Sequence, residues 1–98
     1  MLQKPLNVTD AKINNHTKLG IYPNPANTSV SLLFNSRSTS AVEYSISDLL
    51  GARVAGGSLE ANVKLEINTK ELKTGVYFVT LVQDNVLIEK QKLSITKD

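Results

Sequence analysis

Apolar residues in this chain recur mostly at every second position. Val30, Leu32 and Phe34 share one side of residues 28–35, with Ser29, Ser31 and Leu33 on the other. Val42, Tyr44 and Ile46 alternate with Glu43, Ser45 and Ser47. Val63, Leu65 and Ile67 do the same within residues 62–68, and Leu93 and Ile95 alternate with Lys92, Ser94 and Thr96. A period of two places side chains on opposite faces of a strand, so each segment predicts a half-buried β-strand. Residues 76–82 form a nearly continuous apolar run rich in β-branched and aromatic side chains, which also favours a strand. With the following segment they predict a C-terminal hairpin over residues 75–97, closed at Gln83, Asp84 and Asn85, and the other strands need it to complete a core. Asp84 and Asn85 both tolerate the left-handed backbone that a tight hairpin requires.

The punctuation between these segments is consistent with short strands. Residues 19–22 form a strand that stops at Pro23, and Pro23, Asn24 and Pro25 make a rigid turn that excludes helix. Asp48 can open a turn by bonding its own backbone, and Gly51 can take a positive φ at no steric cost. A returning strand over 52–55 is then ended or bulged by Gly56 and Gly57. Residues 69–73 could make a single helical turn, capped by Asn68 or Thr69, with Leu72 plugging the core from below. Residues 1–18 show no sustained period, only local candidates such as Val8 and Ile13, and read as a linker or leader. The sum is about seven short strands with turn signals about every 8–12 residues, which predicts an all-β, immunoglobulin-like antiparallel β-sandwich, with a small barrel as the competing fold. The intervals are too short for parallel crossovers.

Composition narrows the function. Ninety-eight residues make one domain, with 41% hydrophobic and 20% charged residues, ordinary for a folded chain. Eleven basic side chains against nine acidic ones give a net charge of +2, too small to argue for nucleic acid. Cysteine is absent, which removes disulfides, thiol catalysis and thiolate metal sites. No apolar run approaches the roughly 18–20 residues of a membrane span. The polar lead from Met1 lacks the apolar centre of a secretory signal peptide, so the chain reads either as cytosolic or as a piece of a longer protein.

Candidate chemistry is sparse. His16, the one histidine, lies in the leader with no second ligand or orienting group nearby in sequence. The carboxylates have neither calcium-loop spacing nor a marked pair. There is no G-x-S-x-G elbow and no glycine-rich phosphate loop. Tyr22, Tyr44 and Tyr77 could form a sugar-stacking platform, but their apolar surroundings at strand spacing fit wall and core positions better. Lys90, Lys92 and Lys97 form a mild basic patch. No enzyme, metal or cofactor is expected.

Four segments together carry a resemblance. Tyr22, Pro23, Asn24 and Pro25 open the domain. Residues 44–54 give a strand, a turn from Asp48 to Gly51 and a return to Val54. Residues 72–79 give a turn through Gly75 into a strand, and residues 90–95 close the chain. In this order and spacing they resemble the type A C-terminal sorting domain of the type IX (Por) secretion system of Bacteroidota, over residues 19–98. One departure is Gln91, which separates Lys90 from Lys92 where the family often pairs lysines. The resemblance implies a non-catalytic address label on a cargo domain fused upstream through residues 1–18. It implies transit through the periplasm, recognition by outer-membrane shuttle and translocon proteins, and arrival at the cell surface or beyond. It also implies removal by a surface sortase-like cysteine protease, with cleavage in or near the leader before Leu19 and the cargo attached to anionic lipopolysaccharide.

The candidate contact residues are Pro23, Asn24 and Pro25, the turn residues Asp48 and Gly51, Gly75, and the final-strand residues Lys90, Lys92, Leu93, Ile95 and Lys97. The prolines and Gly51 have a competing role in holding turns. A free terminal edge would offer unpaired N–H and C=O groups to a partner strand, or to a second copy in an edge-strand dimer. The alternative reading is an immunoglobulin-like adhesion module binding carbohydrate or protein.

Overall fold

The structure, a computed structural model, describes residues 17–38 and 40–97. Its seven strands are β1 (Thr17–Tyr22), β2 (Ser29–Ser36), β3 (Val42–Asp48), β4 (Arg53–Leu59), β5 (Leu65–Asn68), β6 (Gly75–Gln83) and β7 (Val86–Ile95). They form two antiparallel sheets, ordered β1-β2-β5 and β4-β3-β6-β7. The chain crosses between sheets after β2, β4 and β5, and the two sheets enclose one core, as in an immunoglobulin-like sandwich. No ladder joins β1 to β7 among the described residues. The two edges meet instead where Gln91 Nε2 donates to the Leu19 carbonyl at 2.6 Å. The barrel alternative therefore gives way to the sandwich.

The period-two pattern sets the core. Val30, Leu32 and Phe34 point inward from β2, opposite Val42, Tyr44 and Ile46 of β3, Val79 and Leu81 of β6, and Leu93 and Ile95 of β7. Burying each such side chain is worth about 1.5–3 kcal/mol, which selects this register over a one-residue slip. The apolar run of β6 resolves into two faces. Tyr77, Val79 and Leu81 are buried, while Val76, Phe78, Thr80 and Val82 lie half-buried on the outer face.

The two predicted hairpin turns form as expected. Asp84 and Asn85 have φ of 53° and 66°, the left-handed pair that a two-residue loop between twisted strands requires. Asp48 Oδ1 accepts from the Leu50 and Ala52 N–H groups, each at 2.9 Å, and Gly51 has φ of 90°. The Tyr22–Pro23 and Asn24–Pro25 peptide bonds are both cis.

Four expectations need correction. β1 starts at Thr17, two residues earlier than expected. β4 runs through Gly56 and Gly57 to Leu59 instead of stopping there. Gly57 lies against the Tyr44 ring, where an added Cβ would sit 3.3 Å from a ring carbon, and Gly56 lies under the Arg53 guanidinium. The irregularity falls earlier, where the pairing steps from Ile46 opposite Ala55 to Ser47 opposite Arg53 and skips Val54.

β5 begins at Leu65 and not at Asn62, so Val63 is 50% exposed and outside the core. Asn62 has φ of 65° and uses its side chain to bond both the N–H and the C=O of Ser36. Residues 69–73 form a turn closed by the Leu72 N–H to the Thr69 carbonyl at 3.0 Å, without a helix, though Leu72 does pack against the core. Val8, Ile13 and His16 lie outside the described residues.

Candidate recognition surface

Antiparallel pairing gathers distant segments at one end of the sandwich. Asp48 stands opposite Tyr77, Tyr77 opposite Leu93, and Gly75 opposite Ile95. The loop after β1 joins them through a parallel bridge between Ala26 and Ile95. Pro23, Asn24, Pro25, Asp48, Gly51, Gly75, Leu93, Ile95 and Lys97 therefore share this end. Lys92 sits one row further along, opposite Phe78, and Lys90 lies beyond it, opposite Thr80.

Co-location does not make each residue available. Leu93 and Ile95 are 0% and 1% exposed, so on the folded domain their side chains lie in the core. Asp48 and Gly51 have their turn to hold, as described above. Lys97 is not a free cation. Its Nζ donates to the Asn27 carbonyl and, at 2.8 Å, to the Thr69 carbonyl, and its N–H donates to Thr74 Oγ1 at 2.9 Å. Lys90 holds its ammonium 4.9 Å from the Phe78 ring centroid, a cation–π contact on the outer face. The expected basic patch thus divides, with Lys97 tying loops together while Lys90 and Lys92 lie on the outer face of the sheet.

The terminal edge is also less free than expected. Asn24 Nδ2 donates to the Lys92 carbonyl at 3.1 Å, and Asn24 Oδ1 accepts from the Ser94 N–H at 3.0 Å. Ala26 continues the pairing, with its N–H to the Ser94 carbonyl and its carbonyl to the Thr96 N–H, both at 2.8 Å. Alternation directs the Lys90 backbone groups to the same edge. Gln91 falls between the lysines because the pleat turns it toward the seam with β1.

Gly75 has the most open surroundings of the glycines without a positive φ. A Cβ there would meet nothing within 4 Å, and its φ is not positive. Neither packing nor backbone geometry within the domain requires glycine at this position. Pro23, Asn24 and Pro25 are exposed nearby. Sequence reasoning missed Thr69, a fully buried polar residue whose Oγ1 donates to the Asn27 carbonyl at 3.0 Å. Nothing in a TK dipeptide signals a partner forty-two positions away.

Among the described residues no three His, Cys, Asp or Glu side chains gather to hold a metal, and no helix is long and apolar enough to cross a membrane. Tyr44 and Tyr77 are buried, which leaves Tyr22 alone at the surface and makes no stacking platform of the three.

No curated protein matches the chain. The family model described as the secretion system C-terminal sorting domain matches residues 20–96, most of the chain and all but the first three residues of the described strands. That match favours the sorting reading over the adhesion module. The chain belongs to this family of C-terminal sorting domains, the signals that direct proteins through type IX secretion to the cell surface or the extracellular space.

Proposed function

We propose that residues 19–98 are the folded label itself, with no catalytic role, and that residues 1–18 connect it to a cargo domain upstream. The label is read in the periplasm by the shuttle and translocon proteins of the type IX system. A surface sortase-like cysteine protease then removes it by cutting before Leu19. The surface read is the loop end of the sandwich, made of Pro23, Asn24, Pro25 and Gly75, with Lys92 and Lys90 along its flank. Asp48, Gly51, Leu93, Ile95 and Lys97 shape that surface from beneath. A second copy would pair along the edge of β7 near Lys90.

One observation carries the surface assignment. Gly75 is glycine without an internal reason, at the end where the exposed prolines gather, which fits close approach by a partner backbone. The test is an export assay. A reporter bearing an N-terminal signal peptide is fused to residues 1–98 in a bacterium with a type IX system. The reporter is expected on the surface or in the medium, with its mass showing a cut before Leu19. A folded, intact fusion held in the periplasm would overturn the reading.

A further inference from the structure

Pro23 and Pro25 lack the N–H groups that a strand would need to pair with β7. The side-chain amide of Asn24 supplies one donor and one acceptor in their place, to the Lys92 carbonyl and from the Ser94 N–H. Ala26 then bonds Ser94 and Thr96 through an isolated parallel bridge to Ile95. One residue further on, Lys97 ties Asn27, Thr69 and Thr74 together. Thr69 closes the circuit by donating its N–H to the Thr28 carbonyl at 2.9 Å and its hydroxyl to Asn27. The first loop of the domain and its last residues are thus one hydrogen-bonded unit, although they lie about seventy positions apart in the chain.

We propose that this clasp makes the sorting surface conditional on the docking of residues 94–97, with Asn24 as its positioning residue. Until residues 94–97 are in place, Ala26 lacks both of its partners, Asn24 keeps only the Lys92 carbonyl, and Asn27 keeps only the Thr69 hydroxyl. The loop then samples many conformations, and the surface seen by the export machinery is lost, in addition to the core contact that Ile95 makes. A chain lacking residues 94–97 would fail by releasing a distant loop, not merely by losing the contacts of those residues. This inference rests on the reading above that the loop end is what the machinery recognises.

Amide hydrogen exchange on the folded chain tests the clasp without any export step. In Asn24→Leu, exchange at Ser94, Ala26 and Thr96 is expected to quicken at least about tenfold, because a lost anchor raises local opening. Val79 and Leu81, deep in β6, report the global fold and keep their wild-type rates. Lys97→Met is a second variant, expected to quicken exchange at Thr69 and Leu72 in the same selective way. Export of each variant as a reporter fusion is expected to fall at least about fivefold while the core rates hold. Unchanged exchange at Ser94, Ala26 and Thr96 in Asn24→Leu would overturn the clasp. Raised local exchange with full export would overturn its link to sorting. A wild-type fusion that is not exported would overturn the sorting reading, and the exchange rates would still decide the clasp.

Discussion

Tyr77 donates its hydroxyl to the Lys73 carbonyl at 2.7 Å, four residues back along the chain. The tyrosine stands near the start of β6, just after the chain crosses from one sheet to the other, and its ring is 7% exposed. The bond holds the 70–74 connection against the core and so fixes the approach to Gly75. Similar tyrosine corners mark immunoglobulin-like sandwiches at the equivalent crossing. In Tyr77→Phe the partly buried Lys73 carbonyl loses its partner, at a cost of about 1 kcal/mol or somewhat more. The thermal midpoint should fall by roughly 4–8 °C for each kcal/mol lost, followed by circular dichroism. An unchanged midpoint would remove the hydroxyl from the account.

Phe34 tests the core more severely. It is 2% exposed and faces the second sheet from the far end of β2. Truncation in Phe34→Ala should cost about 3–5 kcal/mol through lost burial and the cavity left behind. Against a total stability of about 5–15 kcal/mol for a domain of this kind, that loss brings the chain near unfolding. Urea denaturation should show the midpoint falling by a large fraction of its wild-type value.

Asn62 combines two demands in one residue, and two substitutions separate them. Asn62→Gly keeps the backbone at φ of 65° but loses both bonds to Ser36. Asn62→Ala loses the bonds and adds the strain of a Cβ in the left-handed region, about 1 kcal/mol more. Denaturation midpoints should rank wild type, then glycine, then alanine. Equal midpoints for the two variants would mean that the backbone angle there carries no cost.

Where the fold was readable in the sequence, one physical reason accounts for it. A buried face forces period-two alternation, so Val30, Leu32, Phe34, Val42, Tyr44 and Ile46 declared their strands and their inward side. Asp84, Asn85 and Gly51 declared their turns because few residues adopt positive φ cheaply. What stayed hidden was long-range and polar. Asn24 pairing with β7, Asn62 with Ser36 and Thr69 with Asn27 depend on distances that no local pattern encodes. Val63 misled because it continues the alternation of Leu65 and Ile67 past the point where Asn62 ends the pairing. The surface was legible as motifs, but the structure divides them. Leu93 and Ile95 went to the core, Lys97 went to the clasp, and exposure remained at Pro23, Pro25 and Lys92.

Two glycines with equally empty surroundings give the most direct measurement. Gly51 has φ of 90°, so Gly51→Ala should cost about 1–2 kcal/mol from backbone strain alone. Gly75 has no such constraint, so Gly75→Ala should leave the unfolding midpoint unchanged or raise it slightly, since alanine restricts the unfolded chain. The decisive experiment measures thermal midpoint and export of the reporter fusion together for Gly75→Ala. If the loop end of the folded sandwich is what the export machinery reads, the midpoint holds and surface delivery falls several-fold. Full delivery from the equally stable variant would contradict that claim.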